Sequence, residues 1–161
     1  MKIRTASLLI LILALSLLFC ACGTPAVRDD LTAAQLSETV ESLLTNAKYL
    51  DEADGDYLRF NLPGTADASD RLVRFSVAGQ CLDEYGIFHA ASPEGIESLE
   101  KACADYLLQR NEAWMNEYLV EEYPKLRDAE VFTVGNYVFY LILSEAEKDL
   151  VLNTLTETLE K

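Results

Sequence analysis

The chain predicts an α+β fold: a mainly antiparallel sheet of about five strands covered by helices, in the order α-β-β-β-α-β-β-α. Apolar and polar residues alternate in several short runs, which is the period of a half-buried strand. Gly135-Asn136 separates two such runs, as at the tip of a β-hairpin. Apolar residues at three- and four-residue spacing mark helices near the start, middle and end, and the short connections favour antiparallel neighbours.

The first stretch stands outside this pattern. Lys2 and Arg4 precede Ala6–Gly23 (ASLLILILALSLLFCACG), whose apolar part, Ala6 to Ala21, is 16 residues long. A stable membrane span needs roughly 20. A positive start, an apolar run and a small-residue cleavage site describe a secretory signal peptide. Its end, Phe19-Cys20-Ala21-Cys22-Gly23, resembles a lipobox, with Phe19 where leucine is usual. Cys22 is the expected lipidated residue because Ala21 supplies the small residue before the cut, whereas cleavage before Cys20 would place bulky Phe19 there. Two acyl chains on Cys22, as the lipobox implies, would hold the chain on a membrane stably. The expected organisation is a signal peptide over 1–21, a lipidated tether over 22–30 and a single α+β domain over 31–161. Extended, the eight residues Gly23 to Asp30 would reach at most about 28 Å.

From Asp30 the pattern becomes helical. Thr32 and Gln35 form a capping box, and Leu36, Val40, Leu43 and Leu44 make an apolar stripe in a helix over Ala33 to Lys48. Asp51 to Asp56 resembles part of a calcium loop. Aligned on Gly55, however, it puts Leu50 and Asn61 where essential oxygen ligands belong, so it reads as an acidic turn. Tyr57 to Leu62 alternates as a strand ended by Pro63-Gly64; Leu72 to Ala78 alternates again, with Val73, Phe75 and Val77 on one face. Glu84 to Ala90 is the third strand. Ser92-Pro93 opens a helix expected to run to Tyr118, with Ile96, Leu99, Cys103, Tyr106, Leu107, Arg110 and Trp114 on the stripe that covers the sheet. Glu130 to Val134 and Tyr137 to Leu143 flank the hairpin turn. Ser144 and Glu147 then cap a last helix, with Ala146, Leu150, Val151, Leu155 and Leu159 facing inward, and the sheet is expected to be covered on one face.

The net charge is −14, and loss of Lys2 and Arg4 with the signal would take it to −16. That balance argues against nucleic acid and against lying flat on an anionic membrane. Of the four cysteines, Cys81 and Cys103 are left for the domain. Export permits a disulfide between them, and two buried thiols are the alternative.

The segment Cys81-Leu82-Asp83-Glu84-Tyr85-Gly86-Ile87-Phe88, a long charged helix, Tyr118, Pro124-Lys125-Leu126, Ala129 and the hairpin Val134-Gly135-Asn136-Tyr137-Val138 resemble the lipoproteins grouped as domain of unknown function 4358, small exported proteins of Gram-positive anaerobes. The resemblance covers roughly Asp30 to Leu152, with a departure at Val120, where the family often has proline. It implies export and lipidation and carries no activity, cofactor or catalytic residue.

Local chemistry offers little for an enzyme. His89 is the chain's one histidine, so a multi-histidine metal site is excluded and His89 stands as the sole imidazole base. It would need a thiol or carboxylate partner in a cleft. No phosphate-binding glycine loop or nucleophile elbow is present, and Asp83 and Glu84, adjacent on a strand, point to opposite faces. The expectation is therefore a non-catalytic lipoprotein without cofactor, held at the extracytoplasmic face of the cell membrane by the lipid on Cys22. Its partner would be an envelope protein, a wall component or a small ligand. A small-solute receptor for a transporter is the alternative, and an enzyme using His89 stands behind it. Tyr85, Trp114, Tyr118, Tyr123, Tyr137 and Tyr140 are the pool for a binding surface, since exposed tyrosine and tryptophan give contact area at low entropic cost.

Overall fold

In the computed structural model, residues 27–77, 79–115 and 117–160 are described. The signal peptide and Cys22 lie outside the described residues. Five antiparallel strands form one sheet in the order β1-β2-β3-β5-β4, with β1 Leu50–Glu52, β2 Asp70–Ser76, β3 Glu84–His89, β4 Glu130–Val134 and β5 Tyr137–Ile142. The helices are α1 Ala33–Glu41, α2 Gly55–Asn61, α3 Ile96–Glu112, α4 Tyr123–Arg127 and α5 Glu145–Leu159. The α+β class and the antiparallel sheet are as the sequence predicts.

Both faces of the sheet are covered, not one. Strand alternation divides the core. Tyr85, Ile87, Tyr137, Phe139 and Leu141 pack against Leu36 and Val40 of α1 and Val151, Leu155 and Leu159 of α5. Phe88, Val138, Tyr140 and Ile142 pack on the other side against Leu99, Cys103 and Tyr106 of α3. The unbroken apolar run Tyr137 to Leu143 fits this burial on both faces. Cys81 and Cys103 are both buried and free, the second of the two alternatives, and burial pushes the Cys103 thiol up to about 12.

Several elements differ from expectation. Tyr57 to Leu62 is not a strand. Asp54 caps α2, its carboxylate accepting from the Tyr57 amide at 2.7 Å, and Leu58 and Leu62, four residues apart, are buried while Phe60 is 73 % exposed. A short apolar run fits either period, and the cap decides. The first helix stops at Glu41 instead of reaching Lys48. Tertiary partners take over the next polar groups: the Thr45 amide donates to Glu147 and the Asn46 amide group to buried Asp83. The acidic turn then supplies β1, with Leu50 opposite Ser76. The middle helix ends at Glu112 rather than Tyr118, leaving Trp114 half-buried in the loop that follows. It also begins after a 3-10 turn, Pro93–Gly95, without a capping bond from Ser92. Ala146 and Leu150 of α5 are exposed, while Lys148 is buried and donates to the Asp128 carbonyl at 2.6 Å. Thr32 and Gln35 form the expected capping box. Gly135 has φ +60°, and Asn136 has none of the positive φ that a type I′ turn requires, so the hairpin turn follows the type II′ pattern.

Candidate functional site

The strands run between two poles of the domain. His89 pairs with Asp70 and Tyr137 at one end of the sheet, and Glu84 pairs with Phe75 and Ile142 at the other.

The first pole holds the start of the described chain. The Arg28 amide donates to the Leu159 carbonyl at 2.7 Å. The Leu31 amide donates to the Tyr137 hydroxyl at 3.1 Å, and that hydroxyl donates in turn to the Leu31 carbonyl at 2.7 Å. Asp70 accepts from the Ala33 amide at 2.7 Å, and Val27 packs over Gly135, where a Cβ would collide with it. Residues 27–30, expected as the end of the tether, are thus held against the domain together with Leu31. His89 lies here, with Nε2 at 2.5 Å from Asp29 Oδ1, Nδ1 at 3.1 Å from Ser69 Oγ, and its ring stacked on Tyr137 at 4.4 Å.

At the end of β3 that leads to the second pole, Glu84 is buried on the α3 side. Its Oε1 accepts from the Tyr106 and Tyr140 hydroxyls at 2.5 and 2.8 Å, its Oε2 meets Arg110 at 3.0 Å, and the Tyr57 and Tyr106 hydroxyls share a bond at 2.7 Å. Gly86 makes room for this arrangement, because a Cβ there would collide with the rings of Tyr140 and Phe88. Burial and the Glu84 carboxylate push Tyr106 and Tyr140 well above the ordinary phenol range. Just before β3, Asp83 is equally buried and accepts from Lys125 at 2.5 Å. Burial pulls Lys125 down, but Asp83 and Glu122 outweigh it and hold the amine above its ordinary value.

The second pole carries the aromatic loop. The Trp114 ring stacks on Tyr123 at 5.9 Å and tilts against Tyr118 at 5.6 Å. Tyr118 is 43 % exposed, and Val77, Met115 and Val120 beside it on the two loops are exposed as well. The loops touch: a Cβ on Gly79 would lie 2.9 Å from the Tyr118 hydroxyl. Leu119 has φ +42°, a left-handed conformation strained for a side chain of its size. Trp114 Nε1 is buried without a hydrogen-bond partner among the described residues.

Of the six aromatics expected to supply a surface, the structure brings Trp114, Tyr118 and Tyr123 together. Tyr85, Tyr137 and Tyr140 are fully buried and offer no contact area. Tyr85 bonds Ser37 at 2.7 Å within the core. Nothing in the local sequence marks Asp29, Ser69 or Glu84 as a site residue. Spacing cannot reveal His89's neighbours, because they are 60 and 20 residues away. No group of three or more acidic, histidine or cysteine side chains that could hold a metal occurs among the described residues. No helix among them is long and apolar enough to cross a membrane.

Residues 66–143 match the family described as Domain of unknown function (DUF4358). This segment is a DUF4358 domain. It spans β2 to β5 with α3 and α4, and so contains both the aromatic loop and the Glu84 network except Tyr57. The α1 and α5 layer, β1 and the docked stretch at Asp29 come from outside the DUF4358 match, which is shorter than the resemblance read from the sequence. No curated protein and no solved structure matches the chain.

Proposed function

We propose that this chain is a lipid-anchored extracytoplasmic binding module, non-catalytic, that meets its partner through the aromatic pole. The carrying observation is the partly exposed Tyr118 packed against Trp114, which stacks on Tyr123, in a loop that also exposes Met115 and Val120. Aromatic and methionine side chains centred in a polar rim characterise protein contact surfaces. The docked stretch at the other pole supports an orientation. With the lipid on Cys22, only Gly23 to Ala26 would separate the anchor from bonded residues, at most about 18 Å of chain. The hairpin pole would then face the bilayer and the aromatic pole would face away.

Photo-crosslinkers at positions 118 and 136 in cells test this. The expected result is a reproducible protein adduct from position 118 and lipid adducts from position 136. The reverse pattern would sink the orientation. Cys22→Ala should abolish lipid labelling, and normal labelling of that variant would remove the anchor.

One observation favours an enzyme: Ser69, His89 and Asp29 lie in a hydroxyl-imidazole-carboxylate chain. Against it, Ser69 Oγ is also 3.0 Å from the His89 carbonyl. His89 lies on the α1/α5 face, whereas a cavity of about 200 Å³ beside Ala90 and Leu99 opens on the α3 face. A fluorophosphonate probe should leave Ser69 unlabelled, and labelling that requires His89 would establish the enzyme instead. A small-solute receptor is weakly supported, since two further cavities hold about 230 and 160 Å³, below the range usual for ligand pockets.

A further inference from the structure

We infer that the aromatic pole is built for a cationic amphipathic protein segment, one with an apolar face bordered by lysine or arginine. The inference rests on the reading of this pole as the contact surface, and deepens it. The apolar part is on the two touching loops: Val77, Met115, Tyr118 and Val120 are exposed there, and Tyr118 packs against Trp114, which stacks on Tyr123. The border is anionic. Between Arg110 and Lys125 the chain carries Glu112, Glu117, Glu121 and Glu122 and no basic residue.

Glu112, Glu117 and Glu121 are exposed and make no ion pair among the described residues. The two cations that bracket the loop are already committed, Arg110 to Glu84 and Lys125 to Asp83 and Glu122. The border therefore keeps its negative charge, and a partner gains by bringing positive charge to it. Unlike charges across a polar rim set partner choice and speed encounter more than they add affinity. An acidic or neutral partner would leave three carboxylates facing like charge or nothing.

Trp114 is the only tryptophan in the chain, so its emission reports on this site alone. The full chain, reconstituted in phosphatidylcholine vesicles, would be titrated with three tryptophan-free probes: a leucine-faced peptide with a lysine rim, the same peptide with a glutamate rim, and a soluble N-acetylglucosamine–N-acetylmuramic acid oligosaccharide. The lysine peptide should give a saturable change in Trp114 emission that weakens at least tenfold in Tyr118→Ala. The double substitution Glu117→Lys with Glu121→Lys should reverse the preference towards the glutamate peptide. Unchanged circular dichroism and melting of the variants would show that the fold is intact.

No saturable response, equal response to both peptides, a response to the oligosaccharide alone, or binding indifferent to Tyr118→Ala would each overturn the inference. Because the titration does not depend on which residue is lipidated, its failure is separable from failure of the anchor.

Discussion

The two poles solve the same problem in opposite ways. At the hairpin pole the sheet end is sealed by the chain itself: residues 27–31 lie across it, Tyr137 makes two hydrogen bonds to Leu31, and His89 is held between Asp29 and Ser69. At the aromatic pole the loops after β2 and α3 leave Val77, Met115, Tyr118 and Val120 in solvent. The four buried side-chain polar atoms without partners among the described residues, Arg74 Nε, Ser76 Oγ, Arg110 Nε and Trp114 Nε1, all belong to that half. Unsatisfied donors and strained backbone are costly, and they persist where the surroundings hold them in place. One end of the sheet is sealed by its own chain, and the other leaves apolar side chains in solvent.

The comparison can be broken by substitution. The largest effect is expected beneath the open pole, where Glu84→Ala would leave Arg110 and the buried Tyr140 hydroxyl without their partner and Tyr106 with Tyr57 alone. Removing one partner of a buried ion pair costs about 3–5 kcal/mol, readable by denaturant unfolding, and an unchanged midpoint would show that the network does not join α3 to the sheet. Next, Tyr137→Ala should cost a similar amount, about 3–5 kcal/mol as for other large buried aromatics, whereas Tyr118→Ala should stay under about 1 kcal/mol. Equal losses at the two positions would erase the distinction between sealed and open ends.

A smaller and local effect is expected from Asp29→Asn. Hydrogen exchange at the Arg28 and Leu31 amides should accelerate while residues 114–123 keep their rates. Exchange changing at both ends would mean that the poles are coupled. The smallest effect concerns acid. Burial pushes Glu147 up, but hydrogen bonds from Ser144 and the Thr45 amide outweigh it and hold its carboxyl below the ordinary value. A depressed folded value contributes stability above the unfolded pKa and loses it as pH falls through the folded one. Glu147→Gln should therefore lower stability slightly at neutral pH and flatten the acid side of the pH profile; an unaltered acid limb would count against this role.

Legibility followed the range of the interactions. The hairpin at Gly135-Asn136, the capping box at Thr32 and the apolar run of β5 are local and were readable from spacing. Tyr57 to Leu62 reads as a strand because six residues satisfy both periods, and the contact that decides for a helix is Asp54 on the Tyr57 amide. The helix expected up to Tyr118 ends early, with the strained Leu119 beyond it, a conformation that composition does not announce. Three of the six candidate aromatics proved to be core, since tyrosine spacing on a strand does not say whether the strand is covered on one face or two.

By itself, then, the chain determined its class, four of its five strands, its acidic charge and the expectation of an export signal, because periodicity, turn chemistry and charge are properties of neighbouring residues. Tertiary structure alone decided that both faces of the sheet are buried, that Asp29 meets His89, that Glu84 gathers Tyr106, Tyr140 and Arg110, and that Trp114, Tyr118 and Tyr123 converge at one pole. Most of these contacts join residues that the chain keeps far apart, and even the aromatic loop takes its shape from where the strands pair and where α3 ends.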